Sequence, residues 1–233
     1  MSRSEPPPNR PDTPGQEMPG QDTPASGMPS PGGPRLVIFD MDDVLVRYDP
    51  QARQAAMGAL AGLDAGEVER RIWHSGIEDA GDMGALDADQ YLAAVGAALG
   101  IAFDDAAWVR TRAPVTRPDP AMTALAARLG ERVPLALLTN NGLLMKRHFD
   151  AVVPHLRPVF GTAMHVAADF RTKKPDPAIF RRLAALHGVA PQDALMIDDK
   201  AVNAAGAREA GLRAHHFTGI DGLISELRAL HLI

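Results

Sequence analysis

The 233-residue chain has no cysteine. This removes disulfide staples, thiolate nucleophiles and Cys-ligated zinc together, and leaves any metal to oxygen or imidazole ligands. It also suits a reducing compartment, and cytoplasmic residence is the expectation. Aromatic residues are sparse, at 5% of the chain, while Ala and Leu recur at helical spacing, which favours helices around a modest sheet over an all-β sandwich. No apolar run approaches the roughly 18 residues of a membrane span, and the N-terminus lacks the apolar stretch of a secretory signal. The formal charge is only −5, and the arginines lie scattered among acidic neighbours rather than in a basic stripe. Neither a membrane nor a nucleic-acid partner is expected.

Residues 1–34 are dominated by Pro, Gly, Ser, Gln and Thr, in loosely repeated phrases such as TPGQEMPGQDTP. Such a segment cannot bury enough surface to offset the entropy of ordering, so it reads as a disordered tail. A Pro-rich docking segment is a weaker reading, because no basic or aromatic anchor accompanies the prolines. Met18 and Met28 lie in frame inside this tail, which also allows a start site downstream of Met1.

From Arg35 the chain changes character. RLVIFD is a compact apolar run ending in acid, the pattern of a strand buried on both faces of a parallel sheet. Similar runs follow at Val133 to Thr139, Ala194 to Asp198 and Leu212 to Phe217, with a weaker candidate at Pro158 to Phe160. Helical patterns lie between them: one opened by Asp119 and closed at Gly130, one opened by Asp176 and closed at Gly188, then Lys200 to Gly211 and Asp221 to His231. Alternating strand and helix predicts a doubly wound, Rossmann-like parallel sheet, over residues 35–48 and 114–233. Residues 49–113 break that rhythm. They contain helical stretches such as PQARQAAMGALAG and DADQYLAAVGAALG and no convincing strand. An insert after the first strand lies above the crevice at the strands' carboxyl ends, so it is a candidate small α-helical cap domain.

Four segments carry candidate chemistry: FDMDDV (Phe39 to Val44), LLTNNG (Leu137 to Gly142), KKPDPAIF (Lys173 to Phe180) and IDDKAVNAAGAREAG (Ile197 to Gly211). Asp40 and Asp42 are two apart, so on an extended chain both carboxylates leave one face and can address one phosphate. One can act as nucleophile while the other exchanges protons with the leaving oxygen and with water. Taken alone, DMDD reads more readily as a solvated acidic turn, and it is the later segments that reverse this. Asp198 and Asp199 would bring two further carboxylates near Asp40, tolerable only with a cation between them. Oxygen-only ligation suits Mg2+, held by Asp40, the Asp42 carbonyl and the acidic pair. That pair could also cap the helix starting at Lys200. The Thr139 hydroxyl and the main-chain N–H groups beside it, Asn140 included, can bind phosphate oxygens or simply cap a helix. Lys174 offers a fixed positive charge, with Lys173 as its adjacent rival.

In this order the four segments resemble the four signature motifs of the haloacid dehalogenase superfamily, whose members are mostly phosphatases. The resemblance spans Arg35 to Phe217 apart from the cap. It implies an α/β hydrolase with Asp40 as nucleophile, Asp42 as general acid/base, and Lys174, which directly precedes a proline, as the catalytic lysine. It also implies that one of Asp198 and Asp199 ligates the metal, with Asp198 preferred here, and that Asn203 hydrogen-bonds within this loop. A cap between the first and second motifs is similar to the subclass containing sugar-phosphate phosphatases and β-phosphoglucomutase. The expected function is Mg2+-dependent hydrolysis of a small phosphorylated metabolite through an aspartyl-phosphate. A phosphomutase and an inactive binding protein on the same fold are the alternatives. Dehalogenation is disfavoured because Asp42 supplies a proton donor it does not need, and a signalling receiver domain because receivers place their acidic residues first and have no cap. In the cap, His74, Ser75, Glu78 and Asp79 are candidate substrate contacts, whereas Trp73 and Tyr91 read as packing residues. Of His215 and His216, strand alternation turns one inward.

Overall fold

The computed structural model describes Met1, Ser2 and residues 32–233. The expected disordered tail, with its docking and start-site readings, lies almost wholly outside the described residues.

Five parallel strands form the central sheet: β1 (Leu36–Phe39), β4 (Leu135–Thr139), β5 (Met164–Val166), β6 (Ala194–Asp198) and β7 (Arg213–His216), in the order β5-β4-β1-β6-β7. Every residue of β1, β4 and β6 is buried, which is why they read as unbroken apolar runs. Strand periodicity divides their side chains between two layers. Leu36 and Ile38 join Ile179, Phe180 and Leu183, while Val37 and Phe39 join Met122, Leu125, Leu223 and Leu227. The helices behind these contacts are α6 (Pro120–Gly130), α10 (Pro177–Leu186), α11 (Ala201–Glu209) and α12 (Ile220–Ala229).

Chain order reverses at β1. The segment through β5 builds outward on one side and the segment through β7 on the other, so the crevice opens at the carboxyl end of β1. Phe39 is in register with both Leu137 and Ile197. Asp40 and Asp198 directly follow Phe39 and Ile197, and Thr139 lies two residues past Leu137, so all three sit at the same end of the sheet.

Between β1 and α6 lies the helical cap: α1 (Pro50–Ala61), α2 (Ala65–Ile72), α3 (Ile77–Asp82), α4 (Ala88–Leu99) and α5 (Asp105–Arg112). Asp49, Asp64, Asp87 and Asp104 cap α1, α2, α4 and α5 through their carboxylates. The interval holds two strands that periodicity could not reveal. β2 (Val46–Tyr48) pairs antiparallel with β3 (Thr116–Pro118) and joins cap to core; three residues are too few for an alternating pattern. Short helices α7 (Leu143–Arg147), α8 (Phe149–Val152) and α9 (Arg157–Phe160) connect β4 to β5. The strand expected at Pro158 to Phe160 is thus one helical turn, started by a proline that pre-sets its φ, and the sheet edge is instead Met164–Val166. No helix among the described residues is long and apolar enough to cross a membrane.

Candidate active site

The Asp40 main chain continues the ladder of β1, its N–H donating to the Ile197 carbonyl at 2.9 Å. Its carboxylate Oδ1 accepts from the Met41 N–H at 2.7 Å and faces Lys174 Nζ at 2.8 Å. Oδ2 accepts no hydrogen bond among the described residues. Lys174 Nζ also donates to Asp198 Oδ2 at 2.7 Å, so one buried ammonium joins two acidic strand ends. Asn140 holds this lysine in place. Its side chain donates to the Lys174 carbonyl and accepts from the Lys174 N–H, both at 2.9 Å. Asn140 thus commits its side-chain oxygen and one of its two Nδ2–H donors to the Lys174 main chain. Thr139 is buried, and its hydroxyl accepts from Asn141 Nδ2 at 2.7 Å.

The two acidic residues at the end of β6 differ in environment. Asp198 is fully buried and its oxygens are all engaged: Oδ2 by Lys174, Oδ1 by the Lys200 N–H and by Asn203 Nδ2, both at 2.9 Å. The buried Oδ1 of Asp199 has no hydrogen-bond partner among the described residues. Carboxylate oxygens of Asp40, Asp198 and Asp199 lie within 4.8 Å of one another. Burial first, then Asp198 and Asp42, opposed by Lys174, push the Asp40 carboxyl up to about 8. Burial and Asp198 also raise Asp199. Burial acts to lower Lys174, but Asp40 and Asp198 outweigh it and raise this ammonium. The cluster thus carries more negative charge than one lysine relieves. An unpaired carboxylate oxygen in an all-oxygen donor set fits a hard divalent cation.

A family model for haloacid dehalogenase-like hydrolases matches residues 34–211. The chain belongs to this family. A protein of Mycobacterium tuberculosis named as a phosphatase is 27% identical over 210 residues, covering 84% of this chain and 95% of its own. Among solved structures, a predicted haloacid dehalogenase-like hydrolase of Porphyromonas gingivalis superimposes with a TM-score of 0.71 at 18% identity, over 84% of this chain and 98% of its own. A family enzyme of Bacteroides thetaiotaomicron, in complex with magnesium and inorganic phosphate, gives 0.67 at 17%, over 78% and 93%. The L-2-haloacid dehalogenase of Xanthobacter autotrophicus gives 0.55 at 19%, over 84% and 83%. At these identities the structures establish the fold alone.

In this haloacid dehalogenase-like hydrolase the cap closes over the acidic cluster and leaves a cavity of about 490 Å³ between them. Its roof contains residues that sequence reasoning missed. Arg112, at the end of α5, is buried; its Nη2 reaches both Asp42 oxygens, and its guanidinium lies 3.7 Å from the Tyr48 ring centre. Arg53 is also buried, between the rings of Trp73 and Trp108, and donates to Glu78 at 2.8 Å and to the Tyr91 hydroxyl at 3.2 Å. Nothing local marks either arginine, since Arg110 and Arg112 look equivalent in DAAWVRTR.

Of the expected cap contacts, Glu78 and Asp79 line the cavity, as does Trp73. His74 and Ser75 do not: Ser75 Oγ donates to the Arg71 and Ile72 carbonyls at the end of α2, and His74 faces Glu69. Tyr91 is buried, as a packing residue should be, and also bonds Glu78. Asn203 is buried, and its Nδ2 donates to Asp198 Oδ1 at 2.9 Å. His216 lies 2.9 Å from the Asp199 carbonyl, while His215 is the partly buried member of that pair.

Proposed function

We propose that this hydrolase is a Mg2+-dependent phosphatase acting on a small phosphate monoester. The carrying observation is the Asp40 carboxylate, with one oxygen pinned by Met41 and Lys174 and the other unbonded, in a cluster with Asp198 and Asp199 under a cap. The working unit is a core of residues 35–48 and 114–233 with a cap of residues 49–113.

In this reading Asp40 Oδ2 attacks phosphorus, and the bond to the leaving oxygen breaks as that oxygen takes a proton from Asp42. The aspartyl-phosphate is then attacked by water, whose proton returns to Asp42, releasing phosphate and restoring the Asp40 carboxylate. Thr139 Oγ and the Asn140 N–H hold phosphate oxygens, and Lys174 balances the charge they carry. The residues that would hold Mg2+ are Asp40, the main-chain carbonyl of Asp42, and Asp199. Because Asp198 spends its oxygens on Lys174, Lys200 and Asn203, the earlier preference for it reverses: Asp198 supports the site from behind. When bound, the ion supplies the positive charge that lets the carboxylates and a phosphate dianion share one crevice.

The test is phosphate release from p-nitrophenyl phosphate and a metabolite panel, with Mg2+ and with EDTA. Turnover should need the metal and vanish in Asp40→Asn, and acid-quenched protein should carry phosphate on the Asp40 peptide. Equal rates for Asp40→Asn and the parent would dismiss the nucleophile. A product with phosphate moved to another hydroxyl and none released would indicate the mutase instead.

A further inference from the structure

Resting on the phosphatase reading, the geometry points to a leaving group for this site: we propose that Glu78 and Asp82 select an uncharged, hydroxyl-bearing alcohol and reject esters with a second anionic group. A second anion would need a cation on the cavity's cap side. The two arginines there are already committed, Arg53 to Glu78 at 2.8 Å and Arg112 to Asp42 at 2.8 Å. Lys173, which reaches the cap from the core side, is paired with Asp79. Lys200 also lines the cavity without an ion-pair partner among the described residues, but it is exposed and belongs to the core beside Asp199.

What the roof offers instead is hydrogen-bonding capacity of the opposite sign. The Asp82 carboxyl lines the cavity and makes no hydrogen bond among the described residues. Glu78 stands one helical turn before it on α3, four residues apart, so both face the same way. Burial first, then Glu78, raises Asp82 well above the ordinary carboxylate range against the opposing pull of Lys173, Arg53 and Arg112. Such a carboxyl can both donate to and accept from a hydroxyl, whereas a substrate carboxylate placed there would have to compete with Glu78 for Arg53 and with Asp79 for Lys173. Trp73, beside them, supplies an apolar wall of the kind that packs against C–H faces. A cavity of about 490 Å³ holds a phosphorylated polyol and leaves room for water.

In the rival arrangement a substrate carboxylate displaces Asp42 from Arg112 and takes that arginine itself. The experiment compares kcat/KM for glycerol 1-phosphate and a hexose phosphate with that for phosphoglycolate and 3-phosphoglycerate, using p-nitrophenyl phosphate as the activity control. The polyol esters should lead by at least about tenfold, the scale at which a hydrogen-bonding site separates ligands. Asp82→Lys should narrow or invert that ratio, and Asp82→Asn should retain it in part. If p-nitrophenyl phosphate is cleaved but carboxylated esters are preferred, or if the ratio is unmoved in Asp82→Lys, this inference fails and the phosphatase reading stands. If no ester is cleaved, both fail.

Discussion

Arg112 Nη2 lies 2.8 Å from Asp42 Oδ1 and 2.9 Å from Oδ2, so the last residue of the cap's final helix grips a carboxylate of the core's first loop. The guanidinium is stacked on Tyr48 and shielded from solvent, and Asn141 Nδ2 approaches the same carboxylate at 3.4 Å. The orientation of Asp42 is therefore tied to the seating of the cap. If Asp42 is the proton carrier, Arg112 is a positioning residue, acting through it without touching the reacting atoms.

Arg112→Ala should lower kcat about 100-fold, the scale for a misplaced catalytic group, with KM changed much less. Arg112→Lys should recover only part of the loss, because an ammonium cannot both stack on Tyr48 and span the carboxylate. Steady-state kinetics on p-nitrophenyl phosphate provide the check. A change confined to KM would mean that Arg112 binds substrate rather than orienting Asp42.

Asp198 and Asp199 should behave oppositely when each is changed to Asn. Asp198→Asn leaves the Lys174 ammonium buried with one carboxylate fewer, and breaking such a buried pair costs about 3–5 kcal/mol. It should appear as a lower urea midpoint even in EDTA. Asp199→Asn removes the carboxylate whose buried oxygen has no partner among the described residues, so stability in EDTA should hold or rise while the Mg2+ concentration for half-maximal activity increases at least about tenfold. Loss of Mg2+ dependence in Asp198→Asn with no loss of stability would exchange the two roles.

Much of this site was legible in the sequence because its chemistry sits at strand ends. Asp40, Thr139 and Asp198 each follow an apolar run, and parallel pairing around β1 brings such ends together whatever the loops do. The cap was legible only as helices. Arg53 and Arg112 acquire their roles by facing Glu78 and Asp42, 25 and 70 residues away, and no local pattern encodes a partner at that distance. The edge strands fared worse for a different reason: Val46–Tyr48 and Met164–Val166 are three residues each, and a neighbouring strand, not their own periodicity, makes them extended. The split between Asp198 and Asp199 was invisible because it depends on which oxygens Lys174, Lys200 and Asn203 reach.

Metal-free protein should lose stability as pH rises through the neutral range. Asp40 titrates near the ordinary 3.8 when unfolded and at about 8 in the fold. Between those values the native state binds more protons than the unfolded state, so the free energy of unfolding falls with increasing pH over that window and levels off above it. Asp40→Asn, which cannot ionise, should flatten the slope. Urea titrations in EDTA at several pH values from 5 to about 8 read it directly. A parent slope that is flat, or that rises with pH, would show that Lys174 holds Asp40 ionised despite its burial.

Gly206 links the packing of α11 to catalysis. A Cβ added there would stand 1.9 Å from the Pro175 carbonyl oxygen, a main-chain atom that cannot rotate away. Pro175 directly follows Lys174, so any relief of the clash moves the backbone that carries the site's ammonium. Overpacking of this kind costs about 1–3 kcal/mol, and Gly206→Ala should lower the urea midpoint accordingly. The surviving folded fraction should also turn over more slowly, because Lys174 must lie within hydrogen-bond reach of Asp40 and Asp198 at once. Gly222→Ala, where an added Cβ meets nothing within 4 Å, serves as the control and should leave both quantities near the parent's. Full specific activity in the folded Gly206→Ala protein would mean that the Lys174 loop tolerates displacement, and that the contact between α11 and Pro175 serves the fold alone.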